Sequence, residues 1–168
     1  MPNDTVLAAK ERALIGVGAS IAAGCQPCTE YHIKAARAEG ACDRGLSLAV
    51  ETALAARASA TRIMDEWAER CQGGRLEVSA ELRAAKRALV ELTAVAAAVA
   101  LNSVADLELH LAAALEAGAG PDQIRTAIEI ARQVKRAAEA KIEAIVSGLA
   151  GSAQPAPPAP AGTGCGCR

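Results

Sequence analysis

Apolar positions recur at helical spacing through almost the whole chain, and the breaks between them are glycines, prolines and short polar pairs. A first helix is predicted over about 5–24, with Leu7, Leu14, Gly18, Ile21 and Cys25 on one stripe. A second starts at Gly24 or Cys25 and stops at Gly40; Pro27 fits there only in the first turn, where a missing N–H costs little. A third runs over about 43–70, with Asp43 at its start and Leu46, Val50, Ala53, Met64, Trp67 and Cys71 in register, until Gly73-Gly74. A fourth is expected from Ser79 to Leu101, a fifth from the Asn102-Ser103 interruption to Ala117, and a sixth from Pro121 to about Leu149. Alanine is very abundant and strand-like stretches are few. The fold class is all-α.

The spacing of the breaks suggests a duplication. An offset of 78 residues lays Leu14 on Leu92, Val17 on Val95, His32 on His110, Gly40-Ala41 on Gly118-Ala119, and Ala49, Glu51 and Ala53 on Ala127, Glu129 and Ala131. The chain then reads as two pseudo-repeats of about three helices, 1–75 and 76–150. A Pro-, Ala- and Gly-rich tail follows over 151–168, expected to be flexible.

The net charge of −1 and the near absence of aromatic residues argue against a nucleic-acid or anionic membrane surface. The longest uncharged apolar run, Leu92 to Leu101, is too short to span a bilayer, and no signal-peptide pattern opens the sequence. The expected compartment is the cytoplasm. Six cysteines there point to redox or metal chemistry rather than a structural disulfide framework.

The chemistry concentrates in Gly24-Cys25-Gln26-Pro27-Cys28-Thr29-Glu30-Tyr31-His32. On a helix Cys25, Cys28 and His32 fall within an arc of about 60°. Cys25, just after Gly24, would lie near the helix N-terminus, where the dipole favours its thiolate over that of Cys28 and makes it the thiol a partner would meet. A histidine one turn on can accept a proton. The pair reads as a reversible disulfide, with two buried cysteines or a zinc site as the plainer alternatives. Tyr31 reads as a packing residue that could lend a phenol hydrogen bond. In the second repeat Ser103 and Asp106 replace the two cysteines. One helix would hold Ser103 about 10 Å from His110 along its axis, too far for a hydrolase triad. A cap by Ser103 and pairing of Asp106 with His110 is the better account. Cys42 and Cys71, at helix ends, read as structural.

The stretch from Leu14-Ile15 through Gly24-Cys25-x-x-Cys28-x-x-Tyr31-His32 to Ala35-Ala36 and Gly40-Ala41 resembles the AhpD-like, carboxymuconolactone decarboxylase family. The resemblance covers roughly residues 10–60 well and 88–135 weakly. It implies a thiol-dependent peroxidase or disulfide reductase acting on a peroxide. Cys25 and Cys28 would be the redox pair, with Cys28 the more buried, peroxide-facing thiol, and His32 the proton relay. It implies a protein dithiol reductant or peroxiredoxin as partner, no organic cofactor, and a homo-oligomer, trimer or hexamer. The family's relay glutamate falls on Ala13. In the second repeat the equivalent position is Glu91, with His110 following. Glu11, Glu30 or Glu91 could supply the missing carboxylate.

The tail ends in Gly164-Cys165-Gly166-Cys167-Arg168. Cys165 and Cys167 could shuttle electrons to the helical pair, since about 15 flexible residues reach about 20 Å. Alternatively they could join Cys25 and Cys28 in holding a soft metal or metalloid. A lactone decarboxylase is the third reading; its chemistry needs no dithiol.

Overall fold

The computed structural model describes residues 7–150, and the tail cysteines Cys165 and Cys167 lie outside them. All the regular structure among the described residues is helical. The elements are α1 (Ala9–Ala22), α2 (Gln26–Ala38), α3 (Asp43–Gln72), α4 (Ala80–Ala85), α5 (Arg87–Leu101), α6 (Val104–Glu116) and α7 (Pro121–Ala150).

The helices end where the sequence supplies a residue that tolerates the left-handed conformation. At the end of α1, Gly24 has φ 72°, its N–H donates to the Ile21 carbonyl and that of Cys25 to the Ser20 carbonyl. This is the Schellman arrangement, and it aims the chain directly into α2. The same pair of bonds closes α2 at Gly40 and α6 at Gly118. After α5 the position belongs to Asn102, at φ 56°, the one non-glycine residue in that region among the described residues.

The 78-residue offset appears in the backbone. α2 and α6 start and stop at equivalent residues, as do α3 and α7, while α5 starts at the equivalent of α1 and runs one residue further. α4, before α5, stands outside this correspondence. The fourth helix expected from Ser79 to Leu101 is therefore two helices. Ser79 accepts the Leu82 N–H to start α4, and the chain turns at Lys86 (φ −113°, ψ 23°) before α5 begins. No glycine or proline marks that turn. The first helix also begins later than the expected residue 5.

The helices gather into two units: one of residues 7–86 with 101–103, the other of 87–100 and 104–150. In the first, α1 packs on both α2 and α3, and Val17, Ala36 and Leu46 form the buried centre, flanked by Leu14, Ile21, Ile33 and Val50. In the second, Val95, Ala114 and Ala119 are buried, flanked by Leu92, Leu107, Leu111, Ile124 and Ile128. Val17 and Val95, at equivalent positions, are each fully enclosed. Small buried alanines let the helix axes approach closely, so each core holds few large side chains.

The apolar stripe expected along the third helix packs only in its first half. Met64, Trp67 and Cys71 are exposed, and so is Leu7 from the stripe of the first helix. On α7 the same holds for Ile142, Ile145 and Leu149. Cys42, just before α3, is exposed too, so neither Cys42 nor Cys71 fills a core. No helix among the described residues is long and apolar enough to cross a membrane.

Candidate active site

Cys25 is the residue just before α2, with extended backbone (φ −91°, ψ 96°), and Pro27 occupies the first turn, as the sequence reading expected. Cys28 lies in that same turn. Both sulfurs therefore sit where the helix dipole favours negative charge, which removes the distinction drawn between them on that ground. Cys25 and Cys28 form a disulfide, with their Cα atoms 5.4 Å apart, inside the usual range. Thr29 holds the turn by donating its hydroxyl to the Cys25 carbonyl at 2.9 Å.

The exposure of the two cysteines reverses the expectation. Cys28 is exposed and Cys25 half-buried. The cause is the α1–α2 link: the Cys25 N–H is tied to Ser20, so Cys25 lies against the end of α1, and Cys28 turns outward.

His32 follows Cys28 by one turn and is half-buried. Its ring lies on Gly16 of α1: a Cβ placed there would meet His32 Cε1 at 2.6 Å. The Tyr31 ring meets it edge-on, with centroids 5.1 Å apart, and Tyr31 itself is exposed. Ala13, where the family glutamate would stand, packs into the core of the unit. Among the described residues, His32 makes no hydrogen bond or ion pair. Glu30 is turned to Lys34 at 2.5 Å, and Glu11 accepts the Ala8 N–H at 2.9 Å, so neither carboxylate is directed at His32.

The second unit keeps what the first lacks. His110 Nδ1 lies 2.8 Å from Glu91 Oε2, and both side chains are well shielded, 31% and 17% exposed. His110 thus pairs through Nδ1 with Glu91, the residue equivalent to Ala13. The residue equivalent to Gly16 there is Ala94.

Two residues of the site escaped the sequence reading. Gly16 sits inside a helix, where glycine costs about 1 kcal/mol relative to alanine, and that cost was the available signal. Arg57 of α3 reaches back 35 residues and donates to the carbonyls of Ile21 and Ala22 at 3.0 and 2.9 Å. Its signal was Lys135, the equivalent residue in the second repeat, which donates to the Val99 carbonyl at 3.3 Å. Both cations neutralise the exposed carbonyl end of the helix that leads into the site. No cluster of three His, Cys, Asp or Glu side chains able to hold a metal occurs among the described residues. The proposed four-cysteine clamp needs Cys165 and Cys167, outside that range.

No curated protein and no solved structure matches the chain. The family profile described as the carboxymuconolactone decarboxylase family matches twice, over residues 3–70 and over 64–145. With a match in each repeat, covering most of its length between them, the chain belongs to the carboxymuconolactone decarboxylase family.

Proposed function

We propose that the chain is a thiol–disulfide oxidoreductase that reduces peroxides through Cys25 and Cys28. One observation carries the reading: a disulfide at the first turn of a helix, with one sulfur exposed and an imidazole one turn further on. In the reduced protein one thiolate attacks a peroxide oxygen, the O–O bond breaks, and an alcohol leaves as it takes up a proton. The resulting sulfenic acid condenses with the second thiol and releases water. His32 accepts the thiol proton and returns it to the leaving oxygen. A protein dithiol then reduces the disulfide by exchange, entering at the exposed Cys28.

The exposed apolar side chains late in α3 and α7 support self-association, and the family resemblance makes a trimer or hexamer the expected size. The cysteine usage fits a reducing compartment such as the cytoplasm.

The test is a thiol count before and after one equivalent of hydrogen peroxide, with the linked cysteines mapped by mass spectrometry. Loss of two thiols with a Cys25–Cys28 bond is expected. Thiols that persist with peroxide but are protected by zinc or arsenite would replace the reading with metal or metalloid binding.

A further inference from the structure

The link from α1 to α2, Ala23-Gly24-Cys25, and the link from α5 to α6, Leu101-Asn102-Ser103, are equivalent under the 78-residue offset. The two links touch, and residues 101–103 belong to the first unit. Asn102 Nδ2 donates to the Ala23 carbonyl at 2.8 Å, across 79 residues of sequence. Gly24, the equivalent of Asn102, returns no such bond: a Cβ there would meet the Leu101 carbonyl oxygen at 2.6 Å. One link extends a side chain, and the other leaves room for the backbone that carries it.

The chain around Ala23 is fixed from other sides as well. Arg57 is half-buried and donates to the carbonyls of Ile21 and Ala22. The Cys25 N–H donates to the Ser20 carbonyl at 3.0 Å, and the Cys25 carbonyl accepts from the Thr29 hydroxyl. Ala23 lies between these anchors, and Asn102 takes hold there. The end of α5 accounts for the left-handed backbone of Asn102, at φ 56°, which asparagine tolerates better than most residues. It does not account for an amide that crosses to the carbonyl two residues before a disulfide cysteine.

We propose that Asn102 is a positioning residue for the Cys25–Cys28 pair: its bond to Ala23 holds the corner at Gly24 and so keeps Cys25 where it can close on Cys28. The inference rests on the reading of the pair as a reversible disulfide and is independent of which oxidant closes it. A corner that is already held loses less freedom when the bond forms, which raises the effective concentration of one thiol at the other. By linkage the amide bond and the disulfide stabilise each other, and removing the amide favours the dithiol. The coupling is no larger than the worth of one exposed hydrogen bond.

The test equilibrates the full-length chain in glutathione buffers. Two glutathione thiols give two electrons and two protons to the disulfide, which opens to two thiols as glutathione disulfide forms. Alkylation and mass spectrometry of the peptide carrying both cysteines give the oxidised fraction. Asn102→Gly keeps the left-handed backbone and removes the amide. It should lower the equilibrium constant for the disulfide about fivefold, a rise in potential of about 20 mV. Asn102→Asp, which keeps the shape and exchanges the donor for an acceptor facing a carbonyl, should lower it at least as far. Thermal melts of the reduced proteins separate this from a structural role: lowered melting with an unchanged constant in both variants overturns the proposal. A strengthened disulfide also overturns it, since the amide would then act on the thiolate charge rather than on position. Both results leave the redox reading in place. A Cys25–Cys28 bond that forms at no glutathione ratio removes the redox reading and this inference with it.

Discussion

The two repeats place a histidine at the same point of the same helix and give it different company. In the first, His32 follows two cysteines and rests on Gly16, with Ala13 where a carboxylate could stand. In the second, His110 follows Ser103 and Asp106, has Ala94 at the position equivalent to Gly16, and is paired with Glu91 at 2.8 Å. One copy holds the disulfide and the other the carboxylate–imidazole couple. A helical scaffold held by small buried residues tolerates this division, because neither set of residues is needed to fill the core. In the first copy the position without the glutamate comes with a glycine on which the ring lies.

The sharpest break of that comparison is at the sulfurs. Cys28→Ser should reduce peroxide consumption with a dithiol reductant by at least about 10³-fold, since an alcohol at neutral pH is a far weaker nucleophile than a thiolate. The second repeat has no thiol at the equivalent Asp106 to compensate. Retention of a tenth of the activity would place the chemistry elsewhere and end the assignment of roles to the two copies.

Next in size is a test of shared architecture. Val17→Ala and Val95→Ala remove the same atoms from equivalent, fully enclosed places. Each should lower the unfolding free energy by about 2 kcal/mol, from lost transfer energy plus a residual cavity. Denaturant titration followed by circular dichroism reads both. A cost at one position only would show that the duplicated backbone does not carry duplicated packing.

A smaller effect is expected from giving the first repeat the second repeat's couple. Ala13→Glu with Gly16→Ala supplies the carboxylate and removes the space into which the His32 ring settles. The alanine favours the helix by about 1 kcal/mol, and the pair should raise the rate of disulfide formation by roughly tenfold, the low end for a positioned proton carrier. Stopped-flow oxidation of the reduced protein measures it. An unchanged rate would mean that His32 as it stands already delivers what the couple could add.

The residues that could be read in advance are those whose signal is local. Cys25, Cys28, Pro27 and Gly24 announce a helix start and a dithiol by type and spacing alone. The duplication was visible as well, because break residues such as Gly40 and Gly118 recur at a fixed interval. The turn at Lys86 was not, since it carries no breaker and follows from where α5 must begin to match α1. The exposure of Met64 and Trp67 was equally hidden: periodicity shows that a face is apolar, not how far its partner extends. The burial order of the cysteines and the reach of Arg57 depend on how the end of α1 meets α2 and α3, which no spacing within one helix encodes.

The smallest expected effect tests whether the second repeat's couple is structural. Glu91 and His110 are shielded enough that an imidazole without its partner loses a hydrogen bond that water only partly replaces. Glu91→Ala, which copies Ala13, should therefore cost about 1 kcal/mol of stability and leave the rate of Cys25–Cys28 oxidation unchanged, because Glu91 is committed to His110. Adding Ala94→Gly completes the imitation of the first repeat. It costs up to about 1 kcal/mol in helix propensity but opens the place where the His32 ring lies in the other copy. If ring packing on glycine substitutes for the carboxylate, the double variant should be less destabilised than the two single variants summed. Strict additivity in a double-mutant cycle would show that the glycine does not compensate for the lost couple. A slowed Cys25–Cys28 oxidation in Glu91→Ala would instead show the couple serving the dithiol, and the two copies would then be halves of one site rather than alternative versions of it.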